Sequence, residues 1–253
     1  MWKILEKVRE ATLNLLYPPH CLGCGESLHR DVDPYLCEGC KTGITFIKNP
    51  RCTKCGAGLA LYGKTPEDGC IHCQAMRLRF DTALSAVYFQ GGVKELIHHF
   101  KYNQKEYLVK PLMAFISKAL ETGLPFPEKP HWIIPVPLHW RKKGQRGFNQ
   151  AELLARCIGE ELGIRVLPKG LSRLRDTRPQ TSLSLTQRKE NVKGAFQVKA
   201  PSEFIRGKTI LLVDDVLTTG LTASECARVL KRAGAERVHV LTVARAVGTD
   251  HSP

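Results

Sequence analysis

No stretch of this chain comes near the roughly 18 consecutive apolar residues that a membrane-crossing helix needs. No secretory leader is expected either. Residues 1–16 set Ile4, Leu5, Val8, Leu15 and Leu16 among Glu6, Lys7, Arg9 and Glu10, which is the spacing of an amphipathic helix and not of an uninterrupted signal core. The expectation is a cytoplasmic protein with an N-terminal helix over residues 1–17. Acidic residues are scarce, with 24 Asp and Glu against 38 Lys and Arg, so the 253 residues carry a formal net charge of +14. Such an excess attracts phosphate in some form without choosing between nucleic acid, anionic lipid and small phosphorylated substrates. With 43% hydrophobic and 25% charged residues, a largely disordered or collagen-like chain is excluded.

Cysteine is nearly absent beyond position 73, where only Cys157 and Cys226 occur, yet eight cysteines crowd into residues 21–73. They form four Cys-x-x-Cys pairs: Cys21/Cys24, Cys37/Cys40, Cys52/Cys55 and Cys70/Cys73. Two intervening residues let both thiolates reach one tetrahedral Zn²⁺, and Gly25 and Gly56 follow two of the pairs where a tight turn wants a permissive backbone. Two structural zinc sites of four thiolates each are therefore expected over residues 18–76, with sequential pairing favoured and a crossed arrangement still open. A disulfide scaffold would need an oxidising compartment. A closed four-thiolate site leaves no coordination position for substrate, so this module is expected to be structural. Residues 18–75 hold six basic and six acidic residues and become net negative once zinc is thiolate-bound, a poor surface for nucleic acid. Cys157 and Cys226 fall inside helical patterns and read as structural thiols.

Beyond the cysteines, strand patterns at 82–89, 132–135, 164–167, 195–198, 209–213 and 237–243 alternate with helical ones at 93–102 and 107–121. Asn149 with Glu152, closed by Gly163, and Thr222 with Glu225, closed by Gly234, resemble capped helices. This alternation predicts an α/β domain with a mainly parallel sheet over residues 80–247, followed by a tail at 248–253.

The most informative segment is the apolar run Ile210–Val213 followed by Asp214, Asp215, Val216, Leu217, Thr218, Thr219, Gly220, Leu221 and Thr222. Open α/β sheets bind ligands beyond the carboxyl ends of their strands, and a hydroxyl-rich turn into a helix N-terminus suits a monophosphate. Adjacent carboxylates repel unless donors or positive charge sit between them, as a ribose diol or a hydrated Mg²⁺ would. Phosphate on one side and diol acceptors on the other describe a site for a ribose 5-phosphate.

Here the sequence resembles the type I phosphoribosyltransferases, whose loop for phosphoribosyl pyrophosphate (PRPP) has this acidic-pair and Thr-Thr-Gly-x-Thr form. The likeness extends to the bacterial ComF and GntX family, in which a double zinc ribbon precedes such a domain. It is carried by the four cysteine pairs, by Ile134-Pro-Val-Pro137-Leu138-His139, by Arg146-Gly-Phe-Asn-Gln150, and by Arg173-x-Arg175-x-Thr177-x-x-Gln180 followed by Arg188-x-x-Asn191. The resemblance implies that residues 213–222 bind PRPP, with Asp214 and Asp215 on the ribose hydroxyls and Mg²⁺ and the threonines around the 5-phosphate. It implies a pyrophosphate loop of Pro137, Leu138, His139 and Arg146. A polar segment, residues 172–184 with Arg173, Arg175, Thr177 and Gln180, reads as a lid. Family members are associated with natural competence and processing of incoming DNA, which implies competence or DNA-uptake helicase proteins as partners.

A second function class rests on charge. Residues 141–193 hold 13 basic and five acidic residues, more than one pyrophosphate requires. A surface for single-stranded DNA is expected there, with Arg141, Lys142, Lys143, Arg146, Arg175 and Arg188 as phosphate contacts and Trp140 and Phe148 as stacking groups. Lys101 could add a cation to the site or lie on a solvated helix face. Other readings are weaker. Gly58-x4-Gly63-Lys64-Thr65 matches a nucleotide-binding loop by letter but lies between Cys55 and Cys70, without the strand before it and helix after it that the loop needs. A receiver domain would place its acidic pair after its first strand. The alternative to an enzyme is a PRPP-sensing or nucleic-acid-binding module without turnover.

Overall fold

In the computed structural model, residues 19–28, 34–59, 69–102, 105–121, 123–176 and 185–246 are described. The N-terminal helix expected over 1–17, the tail from 248, and Thr177 and Gln180 lie outside them.

Four strands make a wholly parallel sheet in the order β1-β6-β5-β2: β1 (Thr82–Tyr88), β2 (Trp132–Pro135), β5 (Thr209–Leu217) and β6 (Arg237–Arg245). Their near-continuous apolar runs suit strands buried on both faces. Within β5, alternate residues go to opposite sides. Ile210 and Leu212 join the core under one face, and Leu211 and Val213 join the core under the other. Helices α3 (Gly91–Tyr102), α4 (Val109–Leu120) and α6 (Gln150–Leu162) cover the Leu211 face, whereas α8 (Leu221–Arg232) covers the Ile210 face with an antiparallel hairpin of β3 (Leu171–Arg173) and β4 (Phe196–Val198).

The two cysteine clusters straddle this sheet. Pairing is sequential, with Cys21, Cys24, Cys37 and Cys40 in one cluster and Cys52, Cys55, Cys70 and Cys73 in the other. Short helices α1 (Glu38–Thr42) and α2 (Ile71–Met76) begin at the second and fourth pairs, with Cys37 and Cys70 as their N-caps. The first cluster packs on the Leu211 face beside α3, and the second is sunk in the core under the Ile210 face, with Cys52, Cys55 and Cys73 at 2% exposure or less. Between the clusters the chain runs along the free edge of β1. The Ile47 N–H donates to the Ala86 carbonyl at 3.0 Å and the Tyr88 N–H to the Thr45 carbonyl at 3.0 Å. The module thereby occupies an edge that would otherwise present unpaired backbone groups.

The sulfur geometry fits zinc. A tetrahedral ion with Zn–S bonds of about 2.3 Å needs sulfurs about 3.8 Å apart. Sulfur separations are 3.6 Å for Cys24–Cys37, 3.7 Å for Cys55–Cys70, and 3.8 Å for both Cys52–Cys73 and Cys70–Cys73. Burial works to raise the Cys21 thiol, but the backbone N–H groups of Cys37, Cys24 and Gly23 outweigh it and bring it down to about 6. In the second cluster Cys73 is pushed up, first by its contacts with Cys52 and Cys55 and then by burial. Four thiolates crowded together without a cation cannot all ionise, and a divalent metal removes that conflict.

Several expected elements differ in detail. Residues 164–167 form only a single parallel bridge, Val166 to Ile133, because the next rung would need an N–H from Pro135, which has none. Strand β5 runs on through the acidic pair to Leu217. Helix α8 starts at Leu221 with Gly220 as its cap, not Thr222, and Glu225 pairs with Arg228 at 2.7 Å and accepts from the Gly194 N–H at 2.7 Å. Asn149 does cap α6 by position, but its side chain donates to the Val136 carbonyl at 3.2 Å instead of closing a capping box. Helices α5 (Trp140–Arg146) and α7 (Leu185–Val192) carry too few apolar residues to announce themselves. Cys157 is half-buried, Cys226 is buried, and neither belongs to a cluster. No helix among the described residues is long and apolar enough to cross a membrane.

Because the second cluster is built into the shared core and the first reaches the surface at Cys24, losing either metal should have unequal effects. Cys55→Ser and Cys24→Ser should each leave one zinc per chain by native mass spectrometry. The thermal midpoint of the whole chain should fall further for Cys55→Ser; equal shifts would show that the second cluster does not support the main core.

Candidate functional site

At the carboxyl end of the parallel strands lies a cavity of about 420 Å³. Strand β5 and the turn after it supply Asp214, Asp215, Val216, Leu217, Thr218, Gly220 and Thr222. The turn after β2 supplies Pro137 and Leu138, α5 supplies Lys142 and Arg146, α3 supplies Lys101 and Tyr102, and β3 supplies Arg173. Four cations and two carboxylates therefore face one space. Helix α8 begins here with no side-chain cap, since Gly220 has no side chain to offer, so its positive end is open to an anion.

Asp215 is buried and accepts from the Lys101 ammonium, Nζ to Oδ1 at 2.8 Å. Asp214 is half-buried and accepts from the Asp215 backbone N–H at 2.9 Å. Burial, and next the Asp215 charge, push the Asp214 carboxyl up to about 7, against the opposing pull of Lys101, the Asp215 N–H and Arg173. The two carboxylates thus differ in setting: one has an ammonium beside it, and the other lacks full compensation. Burial lowers the Lys142 ammonium, with Arg173 adding to the effect and Asp176 opposing it.

The walls are tied together by amides. Gln150 donates to the Phe100 carbonyl at 3.4 Å and the Lys101 carbonyl at 3.5 Å, and accepts from Arg146 at 3.2 Å. Arg146 also reaches the Tyr102 hydroxyl at 3.4 Å and lies 4.9 Å from its ring centroid. Asn149 fixes the turn after β2 through Val136, as described above.

Not every expected residue lines the cavity. Val213 and Leu221 are buried in the core. The Thr219 hydroxyl is buried without a hydrogen-bond partner, and Thr219 is not among the residues that line the cavity. His139 caps α5 and is buried, with Nδ1 3.9 Å from Asp176, too far for a hydrogen bond. Arg175 is exposed and donates to the Lys193 carbonyl. Arg188 lies on α7, with its side chain outside the described residues. On α5, Trp140 is 69% exposed with the Arg141 guanidinium 5.2 Å from its ring. Phe148 corrects the expectation of a second stacking group: it is buried, 5.3 Å from the Phe100 ring, because α6 needs an apolar residue against α3 at its start. Lys142, one of the expected nucleic-acid contacts, lines the cavity. The Lys101–Asp215 pair was open to either reading in the sequence, since 114 residues separate the partners; the roles of Gln150, Asn149 and Tyr102 had no local signature beyond the Arg146–Gln150 run.

A second cavity, of about 520 Å³, adjoins the first and shares Pro137, Leu138 and Asn149 with it. Leu167, Pro168, Pro201 and Phe204 line it, and Lys143, Arg156, Lys169 and Lys199 bring positive charge to it.

The Asp214 carboxyl gives a pH prediction. Its folded value of about 7 lies above the ordinary 3.8, so folding takes up a proton between those limits and stability falls as pH rises through that window. Asp214→Asn removes this loss. The variant should gain thermal stability over the wild type at pH 8 and lose that advantage at pH 4, at about 2–4 °C for each kcal/mol recovered. An advantage independent of pH would contradict the assignment.

Comparison with known proteins agrees with this architecture. The double zinc ribbon domain family matches residues 12–77, and the phosphoribosyl transferase domain family matches residues 151–251. Competence protein F of Haemophilus influenzae is 30% identical over 231 residues, covering 89% of this chain and 96% of the relative. DNA utilization protein YhgH of Salmonella typhi is 31% identical, covering 77% and 83%, and competence protein ComFC of Bacillus subtilis is 27% identical, covering 85% and 89%. Among solved structures, adenine phosphoribosyltransferase aligns with 56% of this chain and 74% of its own length at 16% identity and a TM-score of 0.34. A double zinc ribbon joined to a phosphoribosyl transferase domain, with relatives matched over nearly their whole length, places this chain in the ComF family.

Proposed function

We propose that the cavity beyond β5 binds Mg²⁺–PRPP and that the chain is a phosphoribosyltransferase of the cytoplasm, working in competence and DNA utilization, the roles for which its relatives are named. The observation that carries this reading is the convergence of the acidic pair, the uncapped start of α8 and the cations Lys142, Arg146 and Arg173 on one 420 Å³ space. An ester phosphate suits the Thr218–Thr222 turn, where the helix dipole favours an anion. Asp214 and Asp215 accept from the ribose hydroxyls. Carboxylate oxygens are suitable ligands for Mg²⁺, and the ammonium of Lys101 on Asp215 marks that oxygen as a place for positive charge.

Transfer breaks the bond from ribose C1 to the pyrophosphate oxygen, which leaves with the electron pair; positive charge develops on the ribose ring and is quenched when a lone pair of the acceptor nucleophile forms the new bond to C1. Lys142, Arg146 and Arg173 stabilise the negative charge that builds on the leaving oxygen. When bound, Mg²⁺ supplies further positive charge to the pyrophosphate. Calorimetric titration of PRPP with Mg²⁺ tests the site. Saturable binding is expected in the wild type, with a loss of at least about tenfold for Asp215→Asn, or 1.4 kcal/mol. Unchanged affinity in that variant would overturn the reading.

A second reading, single-stranded nucleic acid on the α5 surface, is favoured by the exposure of Trp140 beside Arg141 and by the basic lining of the second cavity. Competence or DNA-uptake helicase proteins would meet the same strand. Trp140→Ala should weaken oligonucleotide binding by about 5–150-fold, from a stacking loss of about 1–3 kcal/mol. Phe148→Ala should lower the melting temperature, since that ring is buried. Oligonucleotide affinity that does not fall with added salt would contradict this reading.

A further inference from the structure

The second cysteine cluster and the phosphate turn touch through one side chain. His72 lies between Cys70 and Cys73 on α2, half-buried, and its Nε2 is 3.3 Å from the Thr219 carbonyl oxygen. A carbonyl can only accept, so Nε2 carries the proton in this contact. We propose that His72 is a positioning residue that sets the orientation of the Thr219–Gly220 peptide, and through it the donor that the turn presents to a phosphate. This rests on the reading of that turn as the phosphate site.

In a planar trans peptide the C=O and the following N–H point in opposite directions. If the Thr219 carbonyl is drawn to His72 in the ribbon, the Gly220 N–H is aimed away from the ribbon, and Gly220 lines the cavity. Gly220 has φ +76°, a conformation that glycine adopts freely on either side of a peptide flip, so the turn does not lock this orientation by itself. The partner must come from outside the turn.

The ribbon is built to supply it. His72 is held by two cluster cysteines that flank it within three residues, so metal binding fixes the backbone on which it rides. The segment leaving the cluster continues along the same face. Leu78 and Phe80 come so close to Gly220 that an added Cβ would lie 3.2 and 3.5 Å from their side chains. The Arg79 N–H donates to the Ser224 hydroxyl at 3.0 Å, one turn into α8. The turn is therefore braced from the ribbon at 219, 220 and 224, and His72 supplies the one of these contacts that acts on the orientation of a cavity donor. The Thr219 hydroxyl, buried and without a hydrogen-bond partner, does not share this work.

The test uses the full chain with both metals bound. In His72→Ala the Gly220 amide should exchange with solvent at least several-fold faster, and Mg²⁺–PRPP affinity should fall about tenfold, whereas His72→Gln, whose amide can donate to the same carbonyl, should restore most of both. Zinc content should remain two per chain in each variant. Unchanged exchange and affinity in a metal-replete His72→Ala would overturn the proposal. Independently of any variant, nitrogen-15 NMR of the wild type should find the neutral His72 ring protonated at Nε2, and protonation at Nδ1 would overturn it. Should His72→Ala lose metal, His72→Gln and the wild-type tautomer decide the matter. Failure of the wild type to bind PRPP would refute the nucleotide site alone, since exchange and tautomer report on His72 without ligand.

Discussion

Two carboxylates on consecutive residues near the end of one buried strand are the constraint around which the site is arranged. Strand β5 is flanked by β6 and β2, so its alternation places Asp214 and Asp215 on different sides of the backbone with little water around either. Each needs its own compensation. Asp215 receives the Lys101 ammonium, and Asp214 receives one backbone N–H and a more distant guanidinium, which leaves its carboxyl raised. The cost of that arrangement is tolerated where a cationic or hydrogen-donating ligand can remove it.

Much of the remaining fold serves to bring those partners in. Lys101 rides in the last turn of α3, which is fixed from one side by Gln150 on α6 and at its start by the first cysteine cluster. That start is tight: a Cβ on Gly92 would meet the Cys40 side chain at 3.4 Å and Leu36 at 3.2 Å. Across the sheet, the second cluster shares a core with Leu217, Leu221 and Cys226, and Arg245 at the end of β6 donates to the Cys55 carbonyl at 2.9 Å. The ribbon module is thus not an appendage. Its two halves grip opposite faces of the sheet, and its middle pairs with the edge strand β1.

The parts of this arrangement that were legible in the sequence are those with a local signature. Cysteine spacing pointed to both clusters, and near-continuous apolar runs located β1, β2, β5 and β6, since strands buried on both faces leave that pattern. The turn at 214–222 combined carboxylates, hydroxyls and glycine within nine residues. What escaped depends on distant partners. Whether Lys101 faced solvent or Asp215 was decided by how α3 packs, and Phe148, as plausible a stacking group as Trp140 by composition, was claimed by the interior at α3. The start of α8 moved from Thr222 to Gly220 because the turn has glycine at the left-handed position, a backbone choice that outranks a side-chain cap. Contact between the ribbon and the turn had no signal at all, since one histidine between two cysteines reads as filler.

On the proposed function this cavity holds both ends of one molecule, the 5-phosphate at the start of α8 and the pyrophosphate among Lys142, Arg146 and Arg173. Phosphorus-31 NMR of PRPP titrated with Mg²⁺ and the full chain separates those ends directly. The account predicts that the 5-phosphate and both pyrophosphate resonances shift or broaden together and saturate at one equivalent. Perturbation of the pyrophosphate alone, or of neither end, would contradict it.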